Sequence, residues 1–166
     1  MNSDNSTTQP RKLIICRGLQ GSGKSTFSEK WVAEAPTTRT RINRDTIRAT
    51  FYNALWGPSV DEDGVTEIEL AIARTIILEG KRDIIVDSTG FKDDNNFAYM
   101  RLAETWNYEI EVKDFKVDLD ELIRRDAARE KSVGEAVIRS YHEKHVVDGE
   151  FPPLPSWFSH IIPMNS

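Results

Sequence analysis

The chain has 166 residues, of which 39% are hydrophobic, so it is long enough for one domain with a sizeable core. Its formal net charge of −5 excludes a global basic field for a polyanion but leaves room for a local basic groove. A single cysteine, Cys16, excludes an intrachain disulfide, and no apolar run approaches the ~20 residues that span a bilayer. We therefore expect a cytoplasmic protein with a disordered leader over residues 1–10 and one domain over residues 11–166.

Short apolar stretches alternate with helical patterns along the chain. Runs rich in β-branched residues predict four strands, at 12–16, 38–42, 83–87 and 108–115. Apolar residues spaced three and four apart predict helices at 23–35, 44–55, 65–78, 97–106, 122–129 and 134–147. This alternation predicts an α/β fold in which a parallel sheet is flanked by helices.

Capping and proline signals refine the later elements. Gly80 is a natural C-cap, and Asp118 followed by Glu121 predicts a capping box at the start of a helix. The prolines of FPPLPSWF exclude a regular helix there, so we expect its aromatic side chains to pack across the surface. The stretch HII that follows is predicted to add a last short strand.

The stretch GLQGSGKST lies between the first strand and the first helix and matches the phosphate-binding P-loop pattern. Its glycines let backbone N–H groups surround an anion, and the helix N-terminus adds partial positive charge. We expect Lys24 to reach the β- and γ-phosphates of a nucleoside triphosphate, whose base the sequence does not fix, and the Ser25 hydroxyl to ligate Mg²⁺. The predicted cofactor-binding residues of this stretch are Gly18, Gly21, Ser22, Gly23, Lys24, Ser25 and Thr26.

A buried acidic residue, Asp87, ends the third predicted strand. Open α/β sheets bind ligands at the carboxyl ends of their strands. Asp87 is therefore predicted to serve Mg²⁺, either through a bound water or by orienting substrate groups. The alternative is that Asp87 only caps the following turn.

The stretch INRDTIR follows the second strand and is predicted to lie beside the P-loop. Asp45 is a candidate general base for a hydroxyl acceptor, and Arg48 lies three residues on, on the same helix face, where it is suited to hold a phosphate. Arg44 joins them on the substrate side, and a candidate local positive wall is formed by four arginines, Arg39, Arg41, Arg44 and Arg48. The alternatives are an N-cap for Asp45, a solvated ion pair for Arg48 and strand-edge charges for Arg39 and Arg41.

Two arginines four residues apart, Arg125 and Arg129, share one face of a later helix. On a small helical lid they are suited to close over the triphosphate and to stabilise transition-state charge, which makes them both catalytic and cofactor-binding candidates. The alternative is a salt-bridged surface helix, because Glu121 also precedes Arg125 by four residues. Spacing alone favours that alternative.

Together these stretches resemble the kinase domain of the bacteriophage-type polynucleotide 5′-kinases. The resemblance covers about Leu13 to about His145, and it is carried by GLQGSGKST, INRDTIR, IIVDST, FKVDLDELIRRDAAREKSV and VIRSYHEK. The P-loop is widespread, whereas the Asn-Arg-Asp stretch and the double-arginine segment are more specific. The resemblance implies transfer of the γ-phosphate of ATP to the 5′-hydroxyl of DNA or RNA, with Mg²⁺.

The resemblance also implies roles for individual residues. It makes Asp45 the general base on the 5′-hydroxyl and Arg48 the ligand of the acceptor's 3′-phosphate. It makes Arg125 and Arg129 the lid arginines on the ATP phosphates, although spacing alone favours surface ion pairs for them. Asp87 matches the family's acidic residue at the strand end, and Lys24 and Ser25 serve ATP and Mg²⁺.

The sequence departs from that family in one respect. The phage-type enzymes usually continue into a 3′-phosphatase domain with an Asp-x-Asp-Gly-Thr motif, which is not found here. We therefore expect no 3′-phosphatase activity, and we expect DNA or RNA 5′-hydroxyl ends, not a membrane, as partners. The choice between DNA and RNA, a homo-oligomeric state and a phage origin stay open.

Two other functions compete with this one. A P-loop kinase for a small hydroxyl acceptor, such as a nucleoside, sugar or nucleotide-sugar, would share the P-loop and the Asp45 base. A regulatory nucleotide-binding module would bind ATP without transfer. Three aromatic residues, Phe51, Tyr52 and Trp56, are near enough to the acceptor side to stack on a base, but such residues more often belong to a core.

Overall fold

The computed structural model describes residues 10–160, and it contains four strands, six α-helices and a short 3₁₀ helix within that range. The strands are β1 (Arg11–Arg17), β2 (Arg39–Asn43), β3 (Asp83–Asp87) and β4 (Tyr108–Asp114). The helices are α1 (Lys24–Glu34), α2 (Arg44–Tyr52), α3 (Glu62–Glu79), α4 (Asp93–Thr105), α5 (Leu119–Ala127) and α6 (Glu135–His145), and the 3₁₀ helix is Ser156–His160. Among these helices, none is long and apolar enough to cross a membrane.

The four strands form one parallel sheet in the order β2-β3-β1-β4. Because the strands are parallel, their carboxyl ends meet at one edge, where open α/β sheets bind ligands. The P-loop follows the inner strand β1. Helix α2 follows β2 on one side of it, and α5 follows β4 on the other. The predicted acceptor residues and the predicted lid therefore flank the P-loop from opposite sides.

Side chains of the inner strands are buried on both faces of the sheet. Leu13 and Ile15 point into the main core, which α3 and α4 cover, whereas Ile14 and Cys16 face Phe27 and other residues of α1. This alternation follows from the two-residue period of a strand. It confirms the predicted α/β fold with helices on both faces of a parallel sheet.

Helices α5 and α6 form a small unit of their own over the P-loop. Leu122 of α5 and Ile138 of α6 are almost completely buried in one apolar cluster, together with Leu19 of the P-loop and Phe151 of the tail. This cluster is separate from the main core. The phosphate-binding loop and the predicted helical lid thus share hydrophobic contacts.

Two of the predicted helix signals have different outcomes. Gly80 ends α3 in the left-handed conformation with φ +64°, as predicted for a C-cap. The capping box at α5 is wrong: Asp118 is the N-cap residue, but its side chain caps no backbone N–H, and the carboxylate of Glu121 accepts from Arg124 and Arg125 instead. Local ion pairs have therefore replaced the reciprocal cap.

The tail packs more deeply than the sequence predicted. Phe158 is fully buried in the main core, and Arg17 donates to the carbonyl oxygen of Pro152 at 2.7 Å. The prediction of aromatics lying across the surface is wrong for Phe158 and Phe151. The 3₁₀ helix after the last proline turns Phe158 inward, and Phe151 packs into the apolar cluster of α5 and α6. Of the predicted final strand at 160–162, His160 belongs to the 3₁₀ helix instead, and 161–162 lie outside the described residues. Residues 1–9 of the predicted leader at 1–10 also lie outside them.

We predict that Phe158→Ala lowers the free energy of unfolding by about 3 kcal/mol or more, because it removes a fully buried ring from the main core. Urea unfolding monitored by circular dichroism measures this change. The matched control is Phe51→Ala, whose ring is 60% exposed. Equal effects of the two substitutions would contradict the burial of the tail.

Candidate active site

The P-loop has the close-packed backbone that a phosphate cradle requires. A Cβ atom at Gly18 would lie 2.9 Å from the carbonyl oxygen of Phe115, so only glycine fits there. Gly21 has a φ of +81°, and a Cβ there would lie 3.1 Å from the carbonyl oxygen of Leu122 in α5. These two glycines keep the loop tight against the end of β4 and the lid.

Lys24 is folded back into its own loop. Its Nζ donates to the carbonyl oxygens of Gly18 and Leu19, at 2.8 and 2.7 Å, and approaches Ser22 Oγ at 3.3 Å. Burial lowers the pKa of Lys24 to about 8. Three oxygen partners already surround this ammonium group, so phosphate oxygens are well suited to take their place. The residues present therefore fit a triphosphate.

Asp87 lies at the carboxyl end of β3 with its side chain 2% exposed. Its Oδ2 accepts hydrogen bonds from Arg41 Nε at 2.9 Å and NH2 at 2.5 Å, and from Asn43 Nδ2 at 3.1 Å. Arg41 also pairs with Glu29 of α1 at 3.3 Å. The buried carboxylate thus has a cationic partner from the neighbouring strand β2.

Asn43 connects this buried carboxylate to α2. While its Nδ2 donates to Asp87, its Oδ1 accepts from the backbone N of Thr46 at 2.9 Å and caps the helix. The alternative of an N-cap role for Asp45 is therefore wrong. The Asp45 side chain is 61% exposed and bonds Arg48, so it is free of the helix backbone.

The two arginines of α2 are held by carboxylates of α3. Arg48 donates from Nε and NH2 to the two oxygens of Glu62, at 2.8 and 2.9 Å, and from NH1 to Asp45 at 2.7 Å. Arg44 donates to Glu62 at 2.8 Å and to the buried Glu69 at 2.5 Å. The hydrogen bonds from Arg48, followed by those from Arg44, lower the pKa of Glu62 to about 2.

The four arginines of the predicted positive wall therefore carry no net excess of positive charge, because each has a carboxylate partner. Arg39 pairs with Glu34 at 3.0 Å, and the other three arginines have the carboxylate partners given above. The sequence pattern placed the arginines together but did not reveal their acidic partners, which come from α1, α2, α3 and β3. The electrostatic character of this wall is set by those partners.

The lid arginines lie over the P-loop and are also paired. Arg125 Nε donates to Glu121 at 2.6 Å, as expected for a salt-bridged surface helix. The prediction that Arg129 shares a helix face with Arg125 is wrong, because α5 ends at Ala127 and Arg129 lies in the turn that follows, 3.7 Å from Asp126. Asp126 is buried, and it accepts hydrogen bonds from Ser132 Oγ and the backbone N of Gly134. It thereby fixes the turn between α5 and α6, a role that its position within a charged helix did not reveal.

One cavity of about 970 Å³ brings most of the predicted residues together. The predicted residues in its wall are Gly21, Ser22, Gly23, Lys24, Ser25, Thr26, Arg44, Asp45, Arg48, Asp87, Arg125 and Arg129. Gly18 is outside the wall and acts in the turn behind it. A cavity at the upper end of the usual range for small-molecule sites has room for a nucleotide and part of a second substrate.

Sequence reasoning missed several residues of this wall. Lys92 and Asn96 come from the start of α4, Lys131 from the lid turn, and Tyr141 from α6. Lys92 and Asn96 belong to no motif of the sequence, whereas Lys131 and Tyr141 lie in the stretches that carry the resemblance but were given no role there. The fold brings all four to the cavity from distant parts of the chain. Of the three aromatic residues near the acceptor side, which the sequence assigned more readily to a core, Trp56 does line the cavity.

We predict that in the Glu62→Gln protein the free energy of unfolding falls less steeply with decreasing pH than in the unaltered protein. Glu62 has a folded pKa of about 2, below its ordinary 4.5, so its ion pairs stabilise the fold above pH 4.5 and are lost as the pH falls toward 2. Since the side chain is 44% exposed, we expect less than about 1 kcal/mol at pH 6. Urea unfolding between pH 6 and pH 2.5 measures the slope.

The control is Glu67→Gln on the same helix, because Glu67 has no ion pair among residues 10–160. A Glu62→Gln protein that loses stability in acid as steeply as the Glu67→Gln protein would contradict the assignment.

Comparison with known proteins places this fold among P-loop kinases. Over 140 residues the chain is 29% identical to the L-seryl-tRNA(Sec) kinase of Methanococcus maripaludis, a match that covers 82% of this chain and 53% of that kinase. The chain thus spans about half the length of this curated relative.

Two solved structures share the fold at low identity. The first belongs to the Pnkp1/Rnl/Hen1 RNA repair complex, with 24% identity and a TM-score of 0.64, over 93% of this chain and 51% of that one. The second is the Mycobacterium tuberculosis APS kinase CysC in complex with AMPPNP and APS, with 18% identity and a TM-score of 0.57, over 89% and 85% of the two chains. Identities this low bear on the fold alone.

The sequence profile of one family matches most of the domain. That family is described as AAA domain, and its profile covers residues 13–146, from β1 to the end of α6. The match includes the P-loop and helices α2, α5 and α6. The chain therefore belongs to this AAA domain family, AAA_33, and has a P-loop kinase fold.

Proposed function

We propose that this protein is an ATP-dependent kinase that phosphorylates the 5′-hydroxyl ends of DNA or RNA. The observation that carries the proposal is that Asp45 and Arg48 share one cavity with the P-loop lysine and with both lid arginines. A phosphate cradle, a carboxylate base and a guanidinium group thus surround a single space. These are the parts that phosphoryl transfer to a hydroxyl group requires.

On the donor side, the P-loop residues Gly21 to Thr26 would hold the phosphates of ATP. The backbone N–H groups at the start of α1 and the Lys24 ammonium group would bind the β- and γ-phosphates. Ser25 and Asp87 would hold Mg²⁺, which when bound neutralises charge on the phosphate oxygens. The hydrogen bonds from Arg41 hold the Asp87 carboxylate in place at this side of the cavity.

On the acceptor side, Asp45 would take the proton from the attacking hydroxyl group. The O–H bond breaks as the oxygen bonds the γ-phosphorus, and the bond from that phosphorus to the β,γ-bridging oxygen breaks, so ADP leaves. The exposed Asp45 carboxylate needs no rearrangement of the helix cap, since Asn43 provides the cap. Arg48 would fix the first internucleotide phosphate and so position the hydroxyl group.

The lid arginines would act on the donor phosphates during transfer. Arg125 and Arg129 are themselves exposed in their ion pairs with Glu121 and Asp126, and such pairs are worth little in water. Exchange of those carboxylates for the more highly charged phosphates is therefore favourable. In the closed cavity the two guanidinium groups would stabilise the charge that develops on the leaving oxygen.

The name of one curated relative supports a nucleic-acid acceptor. The L-seryl-tRNA(Sec) kinase carries RNA in its name, and about half of that chain is matched here. A second candidate is a small hydroxyl acceptor. It is favoured by the carboxylate partners of Arg44 and Arg48, which reduce the positive charge available to a nucleic-acid backbone.

The test is a transfer assay with Mg²⁺, γ-labelled ATP and a short 5′-hydroxyl oligonucleotide, in DNA and in RNA form. The control acceptor is the same oligonucleotide with a 5′-phosphate. Label on the hydroxyl form alone would establish both the reaction and the acceptor. Absence of label on any oligonucleotide, while ATP still binds, would refute the proposal and direct the search to small hydroxyl acceptors.

We predict that Asp45→Asn lowers kcat by at least about 100-fold, because an amide cannot accept the proton of the hydroxyl group. The affinity for ATP should stay within about twofold, since the proposed role of Asp45 is on the acceptor alone. Steady-state kinetics and ATP titration measure the two quantities. Asp94→Asn, an exposed change on α4, is the control, and near-native kcat in Asp45→Asn would disprove the base assignment.

We predict that Arg48→Lys raises the acceptor KM by about tenfold or more and leaves the ATP KM within about twofold. A lysine keeps the charge but lacks the planar fork that binds a phosphate through two hydrogen bonds. The matched control is Arg139→Lys, whose guanidinium group pairs with Glu135 on the surface of α6. Equal changes in both KM values would rule out an acceptor role for Arg48.

A further inference from the structure

Three aromatic residues lie within or just after α2, and the structure separates them. The Tyr52 ring is half-buried against the main core. Phe51 is 60% exposed but lies outside the wall of the cavity. Trp56 is 56% exposed and lines the same cavity as Asp45 and Arg48. Of the three, only Trp56 therefore has a largely exposed ring in the wall of the cavity.

The order of the strands in the sheet places the segment that carries Trp56 on the same side of the P-loop as the proposed acceptor residues. It lies in the connection between α2 and α3, on the β2 side of the P-loop, whereas the lid follows β4 on the other side. Asp45 and Arg48 come from the helix that leads directly into this connection. A group held between Arg48 and Asp45 is thus adjacent to the segment that carries Trp56.

Trp56 has no aromatic or cationic partner among the side chains of residues 10–158, unlike two of the other tryptophans. Arg39 lies over the Trp31 ring at 4.6 Å, and Trp157 contacts Phe97 with ring centroids 5.4 Å apart. An indole that is open inside a substrate cavity leaves a large apolar face in water, and a flat aromatic ligand group would cover it. Tyr141 of α6 adds a second half-exposed ring to the same cavity wall.

We propose that Trp56 is the stacking surface for the base of the nucleotide whose hydroxyl group accepts the phosphate. This inference rests on the proposed kinase function and specifies the acceptor chemically: its reacting sugar carries a planar base. Stacking would hold the base at one end while Arg48 holds the phosphate on the other side of the sugar, so the hydroxyl group is directed toward Asp45. Because stacking suits every base, it selects nucleotides over plain sugars without reading sequence.

The kinetic test compares two acceptors and two proteins. One 5′-hydroxyl oligonucleotide has a normal first nucleotide, and the other has an abasic first nucleotide but keeps all phosphates. For the unaltered protein we expect kcat/KM to fall about tenfold with the abasic acceptor, a change typical of one lost base–aromatic contact. For Trp56→Ala we expect kcat/KM with the normal acceptor to be lower than in the unaltered protein by a similar factor. Within the Trp56→Ala protein, kcat/KM with the abasic acceptor should be less than about twofold below kcat/KM with the normal acceptor.

A binding test is independent of catalysis. Fluorescence of the four tryptophans is followed while the normal oligonucleotide is added without ATP. We expect quenching in the unaltered protein, loss of that quenching in Trp56→Phe, and retained quenching in Trp106→Phe, a control whose ring is 46% exposed outside the cavity wall. Trp56→Phe keeps a stacking ring, so its kcat/KM should stay within about threefold.

Two results would overturn the inference while leaving the kinase proposal intact. In one result, the change from the normal to the abasic acceptor lowers kcat/KM by the same factor in the unaltered and Trp56→Ala proteins. That result would mean that the base contacts something other than Trp56. The other is Trp56-dependent quenching by ATP alone, which would assign the indole to the donor base. Failure of the proposed function itself is recognised separately, since no oligonucleotide would then be phosphorylated by any of these proteins.

Discussion

The hydrogen bonds of Asn43 fix helix α2, on the proposed acceptor side, relative to the end of strand β3 beside the P-loop. Its side-chain nitrogen donates to Asp87 at the end of β3, and its side-chain oxygen caps α2. A single amide therefore fixes the helix that carries Asp45 and Arg48 relative to the strand that lies beside the P-loop. Neither a carboxylate nor an apolar residue could make both bonds, because one partner is an acceptor and the other is a donor.

Around this link the site is built from paired charges. Arg41 pairs with Asp87. The two carboxylate oxygens of Glu62 accept hydrogen bonds from Arg48, and one of them also accepts from Arg44. Paired in this way, the buried carboxylate of Asp87 avoids the large penalty of an isolated ion, and removal of Arg41 would leave Asp87 subject to that penalty. The pairs of Arg44 and Arg48 with Glu62 hold α2 on α3, so they support the fold as well as the proposed chemistry.

Much of the fold and part of the site could be predicted from the sequence. The strands were predictable because β1 and β3 are short apolar runs, and the P-loop because its glycines and Lys24 form a contiguous motif. The partners of Arg48 could not be predicted, since Glu62 is fourteen positions away and no local pattern joins them. The inward turn of Phe158 was likewise hidden, because its burial depends on tertiary packing and not on the prolines before it.

The carboxylate of Glu62 has one more consequence for the proposed acceptor. A phosphate that binds Arg48 enters a position where an internal counter-ion already lies, so binding exchanges one anion for another. Few condensed cations would be released from the nucleic acid in such an exchange, in contrast to binding on an unpaired basic surface. Affinity for the terminal nucleotide would then depend on geometry far more than on ionic strength, and free inorganic anions would compete poorly for the same guanidinium group.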